Sequence, residues 1–187
     1  MKPEVIIIGG SAGAFDAILS ILNRLDKSIN VPIVIVLHRL KNTVSSFETI
    51  LQRNTHYSVK EIEDKEKIEK GFIYTAPADY HLLLEEDLTF SLDVSEAVNF
   101  SRPSIDVTFE SFSTVLKEKC CGILLSGSNQ DGANGLKIMA ENNGKTIIQD
   151  CSEAEFAIMP KAAKIIYNKH KELNTTNIIN TLNNEFC

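Results

Sequence analysis

Cysteine is scarce in this 187-residue chain. The four present, Cys120, Cys121, Cys151 and Cys187, show neither metal-ligand spacing nor the density of a disulfide scaffold. Adjacent Cys120 and Cys121 read as small apolar residues at a strand start, in a reducing cytoplasm. No apolar run approaches the roughly 18 residues that argue for a membrane span. Met1-Lys2-Pro3-Glu4 leads straight into a strand pattern, so neither membrane insertion nor a signal peptide is expected, and the location implied is cytoplasmic. Dense Lys/Arg clusters are missing too, and at a formal charge of −6 no phosphate-binding patch suits nucleic acid. Internal repeats and linkers are lacking. A composition of 43% hydrophobic and 24% charged residues is that of an ordinary globular protein, expected as one domain over residues 1–187.

What is present is a set of short, wholly apolar runs: Val5–Ile8, Val31–Leu37 and Gly122–Leu125. Continuity rather than alternation suits strands buried on both faces, as in a parallel sheet covered by helices. Helical spacing lies between them, with Phe15, Ile18, Leu19 and Leu22 on one stripe and Ile105, Phe109, Phe112 and Leu116 on another. Ser104 is placed to N-cap the second. Further helices are expected over Gly135–Ala140, Pro160–Lys169 and Thr175–Phe186, and a strand over Thr146–Gln149. The stretch from Tyr57 to Asp93 differs, with short strands between charged turns, and reads as a β-rich insertion of hairpins at a sheet edge. Lys60–Lys70 is a mixed charge run that reads as solvated surface. The fold class is α/β, a three-layer, mostly parallel, doubly wound (Rossmann-like) sheet with a β-hairpin-rich insertion.

Gly9-Gly10-Ser11-Ala12-Gly13, leaving the first strand, can be read in two ways. A dinucleotide fingerprint puts glycine at its second position so that backbone can approach a pyrophosphate; Ser11 stands there instead. No ribose-binding carboxylate ends the second strand, where His38-Arg39 is found, and no Walker-type Gly-Lys-Ser/Thr follows. An arginine could still serve a 2′-phosphate. Read as G-x-S-x-G, the same residues put a serine hydroxyl on a sharp strand-to-helix turn beside free helix N–H groups. An α/β-hydrolase would place several strands before such an elbow, whereas here one precedes it.

A nucleophilic serine needs a base. His170, between two lysines, reads as exposed on a helix; His56 lies in a loop; His81 begins a strand and reads as structural. His38 ends an apolar strand, and ligands of open α/β sheets bind beyond such carboxyl ends. Asp131, in Ser126-Gly127-Ser128-Asn129-Gln130-Asp131-Gly132-Ala133, leaves the third buried run at the same edge and is a candidate to orient the imidazole. The alternative for Asp131 is an N-cap of the helix that follows it.

Together these residues resemble the catalytic domain of CheB-type chemotaxis methylesterases over nearly the whole chain. The resemblance is carried by Ile6–Gly13, the strand ending in His38, Ala76–His81, Arg102-Pro103-Ser104-Ile105-Asp106-Val107, Leu125–Ala133 and Met159–Ala163. It implies hydrolysis of γ-glutamyl methyl esters on the cytoplasmic helices of methylated chemoreceptors, releasing methanol, and deamidation of receptor glutamines. It also implies Ser11 as nucleophile, His38 as base and Asp131 as its orienting acid. An oxyanion and substrate-binding surface follows at Ala12, Gly13, Gly127, Ser128 and Arg102, with neither metal nor cofactor. The receiver domain of the usual full-length enzyme is not expected in this chain, which leaves a separate phosphorylated receiver domain or signalling kinase as a further partner. The chain departs from the family pattern at Ala12, at Ser128, at Ser101, where a histidine often stands, and at Arg39-Leu40. A catalytically weak receptor- or partner-binding module of the same fold is the alternative that these departures raise.

Overall fold

The computed structural model describes residues 4–39 and 47–186. Leu40, one of the departures noted above, and Cys187 lie outside the described residues. Strand β1 (Val5–Gly10) is buried along its length and pairs in parallel with β2 (Ile33–Leu37) on one side and β7 (Cys120–Leu124) on the other. Four further parallel strands complete the sheet: β3 (Ser58–Glu61), β4 (Phe72–Thr75), β8 (Lys145–Gln149) and β9 (Lys171–Leu173). The order is β3-β4-β2-β1-β7-β8-β9.

The unbroken apolar runs have a simple cause. Successive side chains of a strand point to opposite faces, and here each face meets a helical layer. Ile6, Ile8, Ile33, Ile35, Cys121, Ile123 and Ile147 pack with α1 (Phe15–Arg24) and α6 (Thr175–Phe186). Val5, Ile7, Val34, Val36, Leu124 and Ile148 face α3 (Ile105–Leu116), α4 (Ala133–Glu141) and α5 (Ile158–Ile166). Fully burying each such side chain contributes about 1.5–3 kcal/mol, so an alternating polar pattern could not hold either layer. Gly9 lets α3 approach, since a Cβ there would lie 2.4 Å from the Ile105 side chain.

The structure corrects the expected hairpin insertion. Only β5 (His81–Leu84) and β6 (Phe90–Asp93) form an antiparallel hairpin; β3 and β4 are parallel members of the main sheet. The buried Ile73 and Tyr74 secure β4 against β2, a long-range pairing that short strands with charged flanks do not announce. Helix α2 (Phe47–Arg53) and strand β9 were not foreseen, and α5 ends at Ile166 rather than Lys169. His170 is therefore not on an exposed helix. It is buried just before β9, with Nδ1 2.8 Å from Thr146 Oγ1 and Nε2 without a partner. The expected final helix is present over its full length.

The strands stay parallel, but the side on which successive strands are added reverses at the β1/β7 boundary, with β2 on one side of β1 and β7 on the other. In open α/β sheets, ligands bind beyond the carboxyl ends of strands at such a switch point.

Candidate active site

The exits of β2, β1 and β7 lie side by side at this edge and are bound together by backbone. The His38 N–H donates to Gly10 O (3.3 Å), the Ser11 N–H to Ser126 O (2.9 Å), and the Leu125 N–H to Gly9 O (2.9 Å). Ser11 and His38 are thus each one residue past the paired Gly10 and Leu37. The turn after Ser11 depends on Gly13, whose φ of 74° is costly for other residues and whose Cβ position lies 2.7 Å from Ser126 Oγ. Ser126 was not singled out from sequence. Its buried hydroxyl donates to Ala12 O (2.8 Å) and accepts from the Phe156 N–H (2.9 Å), bracing the serine turn against the loop before α5.

Asp131 is fully buried and accepts from five donors. Its Oδ2 receives His38 Nε2–H at 2.8 Å and the Ile105 N–H at 2.7 Å. Oδ1 receives the Ser104 hydroxyl at 2.8 Å, the Asp106 N–H at 3.2 Å and Asn99 Nδ2–H at 3.4 Å. Burial pushes its carboxyl up, but the bonds from His38, Ile105 and Ser104 outweigh that and hold it below the usual range. Asp131 does not cap its own helix, which starts after Gly132; it caps the N-terminus of α3. Asp106 in the first turn of α3 returns the favour, accepting the Gly135 N–H of α4 at 2.7 Å. Burial first, opposed by its hydrogen bonds and reinforced by the charge of Asp131, pushes Asp106 up to about 6.

A carboxylate only accepts, so the imidazole proton resides on Nε2 and the Nδ1 lone pair is left free to act as a base. The serine-protease arrangement is the mirror of this, with the carboxylate on Nδ1. Nδ1 lies 3.4 Å from the Ser101 hydroxyl. Among the described residues no hydrogen bond joins the Ser11 hydroxyl to His38. A cleft of about 230 Å³ opens beside the imidazole, lined by His38, Arg39, Phe100, Ser101, Arg102 and Pro103.

The remaining expected residues divide. Among the described residues, neither the Ala12 nor the Ser128 N–H has a partner, and both residues are exposed. Gly127 is a correction, because its N–H is already donated to Phe156 O at 3.0 Å. Arg102 lines the cleft, with its guanidinium held by Asp79 Oδ1 (2.6 Å from Nη2) and by the carbonyls of Val94 and Ser95 (2.7 and 2.8 Å). It walls the cleft as a strut rather than offering a free cation. Gly13 lines a different cavity, of about 320 Å³, with Asp16, Glu153 and Glu155. His81 is structural as expected, with Nδ1 accepting the Ser104 N–H (3.2 Å) and Nε2 donating to Glu96 O (3.0 Å).

Residues 6–182 match the family model for CheB methylesterase. The chain belongs to the CheB methylesterase family. A relative from Leptospira interrogans is 47% identical over 163 residues, which is 87% of this chain and 84% of that one. The protein-glutamate methylesterase/protein-glutamine glutaminase of Clostridium acetobutylicum is 32% identical over 160 residues, 86% of this chain but 46% of its own length. The chain thus spans less than half of that relative. The crystal structure of the Thermotoga maritima CheB methylesterase catalytic domain superposes with a TM-score of 0.92 at 29% identity, covering 98% of this chain and 99% of that one. The α/β architecture is that of CheB catalytic domains, and the family is one of carboxylic ester hydrolases. No helix among the described residues is long and apolar enough to cross a membrane.

Proposed function

We propose that this CheB-family chain hydrolyses γ-glutamyl methyl esters on the cytoplasmic helices of methyl-accepting chemoreceptors and deamidates receptor glutamines at the same site. Ser11, His38 and Asp131 carry the chemistry. The observation that supports this most is the 2.8 Å bond from His38 Nε2–H to a buried, anionic Asp131, which leaves Nδ1 basic one strand away from Ser11.

In this reading Nδ1 takes the Ser11 hydroxyl proton as Oγ bonds to the ester carbonyl carbon. The carbonyl electron pair moves onto oxygen, and the unpartnered N–H groups of Ala12 and Ser128 are the donors available to it. Collapse breaks the bond to methoxide, which leaves as methanol with the proton returned by His38. A water then repeats the sequence on the acyl-serine, freeing the glutamate carboxylate and restoring Ser11. From a glutamine side chain the leaving group is ammonia. Asp131 favours the imidazolium formed in each half-reaction and keeps the proton-bearing nitrogen turned away from substrate.

Methanol release from methylated receptor tests the proposal. Ser11→Ala should lower turnover by about 10³-fold or more with the fold intact, as expected when one member of such a set is removed. Equal rates for the two proteins would reject it. The absence of a bond between Ser11 and His38 favours a second reading, a weakly catalytic receptor-binding module. A serine-directed phosphonate that leaves Ser11 unlabelled in folded protein would support that reading.

A further inference from the structure

Ser101 follows two residues held in strained backbone. Asn99 and Phe100 both have positive φ (50° and 61°) in a turn closed by the Ser101 N–H to Val98 O at 2.9 Å. Two such residues in succession suit a type I′ turn, in which glycine normally supplies the second position. Phe100 does so here with its ring fully exposed. Asn99 is pinned from below, its Nδ2–H donating to Asp106 Oδ2 (2.8 Å) and Asp131 Oδ1 (3.4 Å). The result is a nearly buried hydroxyl 3.4 Å from His38 Nδ1, 3.4 Å from Asn99 O and 3.4 Å from Asn129 Nδ2.

These three neighbours differ in kind. Asn129 Nδ2 can only donate and Asn99 O can only accept, whereas His38 Nδ1 accepts when the ring is neutral and donates when it is protonated. A hydroxyl has one proton and two lone pairs, so it satisfies all three when the ring is protonated and two of them, Asn129 and Nδ1, when it is neutral. With neutral His38 and no substrate bound it takes the Asn129 proton and gives its own to Nδ1, a bond that Nδ1 gives up when it takes the Ser11 proton. With imidazolium it takes the protons of Asn129 and Nδ1 and turns its own to Asn99 O. We propose that Ser101 is a positioning residue for His38, a hydroxyl that reverses its hydrogen bond as the base gains and loses its proton, with Asn129 and Asn99 as its fixed donor and acceptor.

This rests on the proposed function for its kinetic consequence but not for its structural one. Between the two states, the bond made to the charged ring is the stronger, so Ser101 favours the imidazolium on balance. Among the described residues the other charged groups near the ring are Asp131, which bonds it directly, Arg39 and Arg102, which wall the same cleft, and Asp106 behind Asp131.

The test pairs kinetics with ¹⁵N NMR of the His38 ring in the full chain. Ser101→Ala should lower kcat about tenfold at little change in KM, as loss of one charge-assisted bond made in the transition state predicts. It should also move the acid limb of the rate profile, and the ring titration with it, to lower pH. Ser101→Thr should restore both, and Asn129→Ala should reproduce the shift in part. A folded Ser101→Ala protein whose ring titrates as in wild type would overturn the proposal, as would Ser101→Thr matching Ser101→Ala. If wild type hydrolyses no ester, the proposed function fails while the ring titration still decides the role of Ser101. If Ser101→Ala does not fold, the Ser101→Thr and Asn129→Ala proteins carry the same comparison.

Discussion

Asp131 at the centre of the sheet's carboxyl edge and His170 near the outer β8–β9 edge are both buried side chains able to carry charge, and they are treated in opposite ways. Asp131 is met by five donors drawn from the exit of β2, the loop before α3 and the start of α3 itself. His170 has the Thr146 hydroxyl on one nitrogen and nothing on the other, with the Tyr167 ring 4.9 Å away. Burial opposes charge at both sites. At Asp131 the donors win and the group stays anionic; at His170 nothing opposes desolvation, and the imidazole is pushed down to about 4 and kept neutral. What a buried titratable group does is decided by the polar atoms brought to it, and at this fold's active edge those atoms converge from distant parts of the chain.

The comparison is broken most severely by Asp131→Asn. An amide oxygen can accept some of the five donors, but its NH₂ would face the rest and would no longer fix the proton on Nε2. Turnover is expected to fall about 10⁴-fold, as for the equivalent change in serine proteases, and stability by about 3 kcal/mol from donors left unpaired. Denaturant unfolding alongside methanol release checks both; loss of activity with unchanged stability would show that the five bonds contribute little.

The opposite member sharpens the comparison through pH. His170 in the folded chain binds its proton less readily than the ordinary value of 6.5. Its contribution to stability is therefore complete above pH 6.5 and lost as pH falls towards about 4. The loss should reach about 2 kcal/mol by pH 5. Replacing His170 by Asn should remove this acid sensitivity between pH 7 and 5, whatever the variant costs at neutral pH. Midpoints that fall in parallel for the two proteins would mean that His170 is not the group responsible.

Asp106 lies between the two extremes, bonded yet raised to about 6. Here the folded chain holds its proton more tightly than the unfolded chain, so the contribution is present below about 3.8 and lost as pH rises through about 6. Asp106→Asn should flatten that decline, worth on the order of 2 kcal/mol between pH 4 and 7. A slope that survives the substitution would assign it elsewhere.

Much of the edge was legible in the sequence because the strands that build it are continuous apolar runs, and their ends could be found without knowing their order. Ser11, His38 and Asp131 were each marked by a glycine turn or a strand end, and the helix cap at Ser104 by the Pro103 before it. Partners set by distant chain were not legible. Nothing local to Gly127 says that its N–H is taken by Phe156, nothing near Arg102 points to Asp79, and two lysines around His170 suggested solvent where β9 in fact packs. The parallel placement of β3 and β4 was hidden for a related reason: a four-residue strand carries too little pattern to show its neighbour. The five donors to Asp131 come from positions 38, 99, 104, 105 and 106, a set that becomes visible only once α3 is docked.

The mutual capping of α3 and α4 by Asp131 and Asp106 has one more consequence. The proposed catalytic acid is also the bolt between two helices, so the chemistry cannot be dismantled piecemeal by heat. Ester turnover and helix docking should vanish at a single temperature. A heated sample would then hold only working and unravelled molecules, without a quiet, folded but idle fraction between them.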